Sequence, residues 1–293
     1  DNNAGVYVAL AGIGSGWPGG YLQVGDDANS METRGTVERE AAQGFAETML
    51  GNWTSGIVDE SNLLTVNVGH SELNSITYDA LLTGAANVAA IGDQGRWEII
   101  KFRTADSLGD GRYILSGLMR GQRGTEWARG THAIGDAFVL LSMAGMLRPN
   151  FDAGSIGQTK TYRAVTKGRS PASASTQTYS NTAEGLETFS PTNLGKSISG
   201  ADITLSVVRR TRLSENWLRG IVPLGEDAER FEFDLFTDNT FTTVRRVIVS
   251  STRFATYTAA MQAADGYASG PLYVRVYQLS GVVGRGHALQ ETI

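Results

Sequence analysis

Trp97-Glu98-Ile99-Ile100-Lys101-Phe102-Arg103, a polar segment ending in Asp110-Gly111, and then Arg112-Tyr113-Ile114-Leu115-Ser116-Gly117-Leu118 read as two β-strands folded back on each other. The pattern predicts a β-hairpin with a long loop. Alternation along the first strand puts Ile100 and Phe102 on one face and Trp97 and Ile99 on the other, so both faces are expected to be covered, with Trp97 in the core. A third strand is expected over 137–141. The fold class that follows is mainly β.

Between these strands lies Arg120-Gly121-Gln122-Arg123-Gly124-Thr125-Glu126-Trp127, whose glycines and interleaved arginines make a poor helix and a good ordered loop. Two readings apply. In the structural one the guanidinium groups tie down neighbouring carbonyls and carboxylates; in the functional one they form an anion or sugar-phosphate site. The structural reading is preferred, because arginines of this kind most often make structural pairs.

Elsewhere the period is less decisive. Val37, Ala41, Phe45 and Met49 recur at helical spacing while Gly44 interrupts them, so 37–50 is either a helix or two short strands. In the helical case Glu38, Glu40 and Glu47 form a solvated face. The Ser-, Thr- and Ala-rich stretch 167–196 holds breakers at Pro171 and Pro191 and is expected to contain the domain junction, giving domains 1–189 and 190–293. Within it, 176–179 and 186–189 could pair as edge strands. Period-two runs at 203–207, 231–235, 244–249 and 272–276 predict an all-β sandwich, with a single helix over 258–264.

Composition bounds the function. The 293 residues include 36 glycines, 6 prolines and only 19% charged residues, which favours turns over long surface helices. With 25 basic against 30 acidic residues and no basic block, nucleic acid is not an expected partner. The absence of cysteine excludes disulfides, zinc-thiolate sites and iron–sulfur clusters. No stretch reaches the roughly 18 apolar residues of a membrane span, so neither a signal peptide nor a membrane anchor is expected. The start at Asp1 favours a fragment of a longer chain.

No hydrolase elbow, H-E-x-x-H or Walker loop occurs, and no catalytic residue, cofactor site or metal site is assigned. His70, His132 and His287 are far apart and are expected as hydrogen-bonded surface or loop residues. Asp26 with Asp27, and Asp234 with Asp238 and Asn239, lack the spacing of a calcium loop and read as turns. The run from Gly12 to Gly20 follows a strand-like 6–10 but opens no helix, which makes it a long turn. Of the tryptophans at 17, 53, 97, 127 and 217, Trp17 is the best exposed candidate. The candidate surface contacts are Trp17, Arg120, Arg123 and Trp127.

Tyr273-Val274-Arg275-Val276-Tyr277-Gln278-Leu279-Ser280, followed by Gly284-Arg285-Gly286, resembles the penultimate strand and turn of fibronectin type III domains. The resemblance implies a fibronectin type III-like β-sandwich after the β-rich first domain. It also implies that Tyr273 is a corner tyrosine bonding back to the preceding turn. Val207 stands near the usual tryptophan position, and the helix lengthens the connection before Tyr273.

The stretch Leu81-Leu82-Thr83-Gly84-Ala85-Ala86-Asn87-Val88-Ala89-Ala90-Ile91-Gly92, the strand at 97–102, and Leu115-Ser116-Gly117-Leu118-Met119-Arg120-Gly121-Gln122-Arg123-Gly124-Thr125-Glu126 are similar to the carboxy-terminal part of tail-tip proteins of long-tailed phages and gene transfer agents. These are the host-specificity or megatron-like tail proteins. The similarity continues through His132, Gly135 and Phe138 to Leu141, and resumes at Trp217, Pro223-Leu224-Gly225-Glu226 and Tyr257-Thr258-Ala259-Ala260. It implies a homotrimer at the distal end of a virion tail, with a hub and often a TIM-barrel-like module upstream. Its partners would be other tail-tip or baseplate proteins or a fibre, and a host cell-surface receptor. A carbohydrate-binding module of a secreted or surface protein is the competing expectation, and an envelope-degrading enzyme has almost no support.

Overall fold

A computed structural model of the chain describes residues 3–14, 16–213 and 223–293. The chain is mainly β and divides into two compact units, 3–182 and 183–293. The division lies upstream of the expected 189/190 boundary. Thr188 explains why: its hydroxyl donates to the Gln278 carbonyl at 2.7 Å and its carbonyl accepts from His287 N, tying 183–189 to the second unit.

In the first unit the strands are β1 (Val8–Ala9), β2 (Gly20–Gly25), β3 (Glu32–Val37), β4 (Gln43–Ala46), β5 (Leu64–Asn67) and β6 (Val88–Gly92). The long pair β7 (Glu98–Gly109) and β8 (Arg112–Gln122) follows, then β9 (Ala137–Leu140), β10 (Met146–Leu147), β11 (Thr159–Thr166) and β12 (Thr176–Ser180). Six of these close into an antiparallel barrel in the order β4-β5-β8-β7-β6-β9. Closure removes the free edges that would otherwise template pairing with other chains.

The barrel follows from alternation. Leu64 and Val66 of β5, Ala89 and Ile91 of β6, Ile100 and Phe102 of β7, and Phe138 of β9 point inward and are fully buried. Phe102 and Phe138 meet at the centre with ring centroids 6.5 Å apart. On β8 the inward set passes from Leu115 to Leu118 and Arg120 across Gly117, whose φ of +62° suits a residue without a side chain.

The hairpin differs from expectation at its tip and its start. Pairing runs to Gly109 opposite Arg112, and the turn is only Asp110-Gly111, both at positive φ, so the polar residues 104–109 belong to the strand. Trp97 precedes the strand and is half-buried rather than core.

The segment 37–50 is not a helix. Val37 ends β3, and Gly44 sits in β4 opposite Phe138. Glu38, Glu40 and Glu47 pair with Lys167, His70 and Arg112. A short helix, α1 (Tyr78–Thr83), is capped by Thr77, buries Leu81, and offers its last carbonyls to Lys101 of β7.

A second sheet of the first unit has the order β12-β11-β2-β3. Leu22 and Val24 of β2 build its core with Leu10 and Val37. Trp17 packs against that core and donates from Nε1 to Thr166 Oγ1 at 3.0 Å. Of the strand-like 6–10 only Val8–Ala9 pairs, with β10. Thr176–Ser180 is an edge strand on β11, whereas 186–189 forms no strand and does not pair with it.

The second unit holds β13 (Thr192–Ser199), β14 (Asp202–Val208), β15 (Phe231–Phe236), β16 (Val244–Ser250), β17 (Phe254–Tyr257), β18 (Tyr273–Ser280) and β19 (Gly284–Thr292). A three-stranded sheet, β13-β14-β17, and a four-stranded sheet, β16-β15-β18-β19, share one core. Ile203, Leu205 and Val207 from the first sheet meet Phe231, Phe233, Leu235, Val274 and Val276 from the second. This three-plus-four sandwich has the form expected from the fibronectin type III resemblance.

The expected helix is α2 (Ala259–Ala264), capped by Thr258. Tyr273 does not act as the corner tyrosine. Its ring lies edge-on to Phe241 at 6.1 Å, and the hydroxyl-to-turn bond is made by Tyr267 to the Gly270 carbonyl.

Candidate functional site

A group of buried charged residues is gathered around the start of β7 and the end of β8. Glu98 shares its face with Ile100 and Phe102, so alternation directs a carboxylate inward among apolar side chains. Arg120 approaches it from β8. The Glu98 and Arg120 side chains are 0% exposed, and so is that of Asp59, which lies on a segment paired through its backbone with Leu118.

Every guanidinium nitrogen of Arg120 donates. Nε and Nη2 donate to the two Glu98 oxygens at 2.8 Å each, while Nη1 donates to the Gly51 carbonyl at 2.9 Å and to Asp59 Oδ2 at 3.2 Å. Glu98 also accepts from Gly121 N at 2.7 Å and faces His132 Nε2 at 2.7 Å. His132 in turn sets Nδ1 3.3 Å from Asp136, which accepts from Ala133 N and from both terminal nitrogens of Arg96. Asp59 accepts from Ser61 N, Asn62 N and Asn62 Nδ2.

The result is a continuous chain, Asp59–Arg120–Glu98–His132–Asp136–Arg96, in which each carboxylate is held by several donors. Burying a charge is costly unless it is paired and hydrogen-bonded. Here that requirement is met, since Glu98, Asp59 and Asp136 each accept from several donors.

Burial acts to raise the carboxyls of Glu98 and Asp136, but His132 and Arg120 on the first, and Arg96 with the Ala133 amide on the second, hold both below the ordinary carboxylate range. A depressed folded value means the contribution is complete above the unfolded value of about 4 and is lost as pH falls through the lower folded value. Thermal melts from about pH 7 to pH 2 should therefore be flat near neutrality and drop steeply only below about pH 4. A melting temperature insensitive to acid would contradict the arrangement.

Of the candidate contacts, Arg120 is a buried residue of β8 and not a loop residue at the surface. Trp17 is half-buried on its own sheet, for the reason given by its bond to Thr166. Arg123 is exposed on a turn at φ +55°, and Trp127 is 38% exposed on the single turn that follows. Arg129 fastens that loop by donating to the carbonyls of Arg120, Trp53 and Ser55. The four candidates thus do not form one site. Only Arg123 and Trp127 share an exposed loop, and Trp217 lies outside the described residues.

His132 departs from expectation: it is a buried network member, while His70 and His287 pair with Glu40 and Glu187. Asp27 and Asp238 bond within their own turns, and Asp234 is buried beside Arg285 with its carboxyl raised by that burial. Among the described residues no three His, Asp or Glu side chains converge as a metal-binding group.

A family model described as Rcc01698-like, C-terminal, matches residues 41–139. That span contains every residue of the buried network and nearly all of the barrel strands. A comparison with curated proteins gives no match.

Proposed function

We propose that this chain is a structural and host-contact element of a phage-like tail tip, working as part of a homotrimer at the distal end of the tail. The observation that carries the reading is where the tail-tip-like residues go. The Leu115-to-Glu126 stretch that bears the resemblance lies inside the span matched by the family model, and its Arg120 is held inside the barrel by Glu98. Such a stretch suits a rigid mount. The Arg123–Trp127 loop then supplies the contact, since arginine and tryptophan are favoured in the centres of protein interfaces.

The partners on this reading are neighbouring tail-tip or baseplate proteins or a fibre, with the host surface beyond them. Mass spectrometry and cross-linking of purified particles from the encoding genome test it. The expected result is the full-length protein in the particle, cross-linked to itself and to tail components. Particles that lack it, or a full-length protein that stays monomeric, would overturn the reading.

A further inference from the structure

Beside the β12-β11-β2-β3 sheet lies an open groove of about 540 Å³, within the range of small-molecule sites. It runs between the turn joining β2 to β3 and the segment 150–158, and its lining is predominantly polar. We infer that this groove binds a neutral saccharide. The inference stands apart from the tail-tip reading.

Charge comes first. The lining carries Asp26, Glu32 and Asp152 together with Arg34 and Lys160. Glu32 is paired with Arg34 at 3.2 Å and Asp26 is paired with Lys160, which leaves Asp152 as the acid in excess. With three acids against two bases in the lining, an anionic polymer would meet a net negative charge. A metal ion would find no converging acidic group.

Hydrogen-bonding capacity points the same way. The side chains of Asn150 and Asp152 make no hydrogen bond or ion pair among the described residues, although both line the groove. Their neighbour Phe151 is anchored through its backbone to Asn3 and Ala4, which fixes the segment that presents them. An amide offers donors and an acceptor, and a carboxylate offers acceptors, the complement of adjacent sugar hydroxyls. Phe151 packs against the core of this sheet with the Arg34 guanidinium 6.0 Å above its ring, so the apolar share of the groove is small. A ligand that needed deep apolar burial would gain little in so open and polar a groove; a polyhydroxylated one fits it.

Calorimetric titration of the full chain with neutral hexaoses of glucose, galactose and mannose, α- and β-linked, tests the inference, with oligogalacturonate as the acidic counterpart. Saturable binding of at least one neutral hexaose, in preference to oligogalacturonate, is expected. Asn150→Ala combined with Asp152→Ala should weaken it at least about tenfold, as loss of two ligand hydrogen bonds implies. The isosteric Asp152→Asn keeps the local shape and should weaken it severalfold, so the result does not depend on the double variant folding. Binding by no neutral hexaose, preference for the acidic oligomer, or unchanged affinity in Asp152→Asn and the double variant would overturn it.

Discussion

Arg120→Ala is expected to lower the unfolding free energy of the first unit by about 3–5 kcal/mol, the usual consequence of breaking a buried ion pair from one side. The substitution leaves Glu98 and Asp59, both with side chains 0% exposed, without the guanidinium that bridges them. Against a typical domain stability of about 5–15 kcal/mol this is a large fraction. Arg120→Lys should fall between, since an ammonium cannot reproduce the two parallel bonds to Glu98. Urea unfolding checks both, and a loss below about 0.5 kcal/mol in Arg120→Ala would place it with ordinary surface substitutions.

Phe102→Ala should cost a similar amount, about 3–5 kcal/mol, through a different mechanism. Phe102 is 0% exposed and packs with Phe138 inside the closed barrel, where the surrounding strands cannot collapse to fill the space. The two variants separate by pH. Phe102→Ala should keep the acid-dependent loss set by Glu98 and Asp136, whereas Arg120→Ala should change it, because Arg120 is one of the groups holding Glu98 below its ordinary range. A Phe102→Ala variant of native stability would mean that the barrel centre is not the packed core described.

Much of this architecture was legible along the chain because strands announce themselves locally. The runs around Ile100, Leu205, Phe233 and Val274 alternate with period two, and each is a strand. Closure was not legible: it depends on β4 and β6 pairing with β9, contacts such as Gln43 with Val139 that no local pattern encodes.

The site was half-legible for the same reason. The arginine-glycine stretch stood out, and pairing to carbonyls and carboxylates was the preferred reading, but strand β8 extends through Gln122 and carries Arg120 into the interior. A signal was available in Glu98. An acid in register with Ile100 and Phe102 requires a buried cation, and Arg120 is the one that meets it. His132 carried no such mark, since its partners lie 34 residues upstream and 4 downstream. Trp17 looked exposed in a glycine-rich loop because its partner Thr166 is 149 positions away.

Arg120 builds the interior of the barrel through its buried pairing with Glu98. A double-mutant cycle on Arg120 and Glu98, Arg120→Ala with Glu98→Gln, read by urea unfolding at neutral pH, tests it most directly. A coupling energy between the two positions of at least about 1.5 kcal/mol is expected, within the range for residues in direct contact. Additive effects within about 0.5 kcal/mol, with stability little changed in either single variant, would contradict it and return Arg120 to the surface.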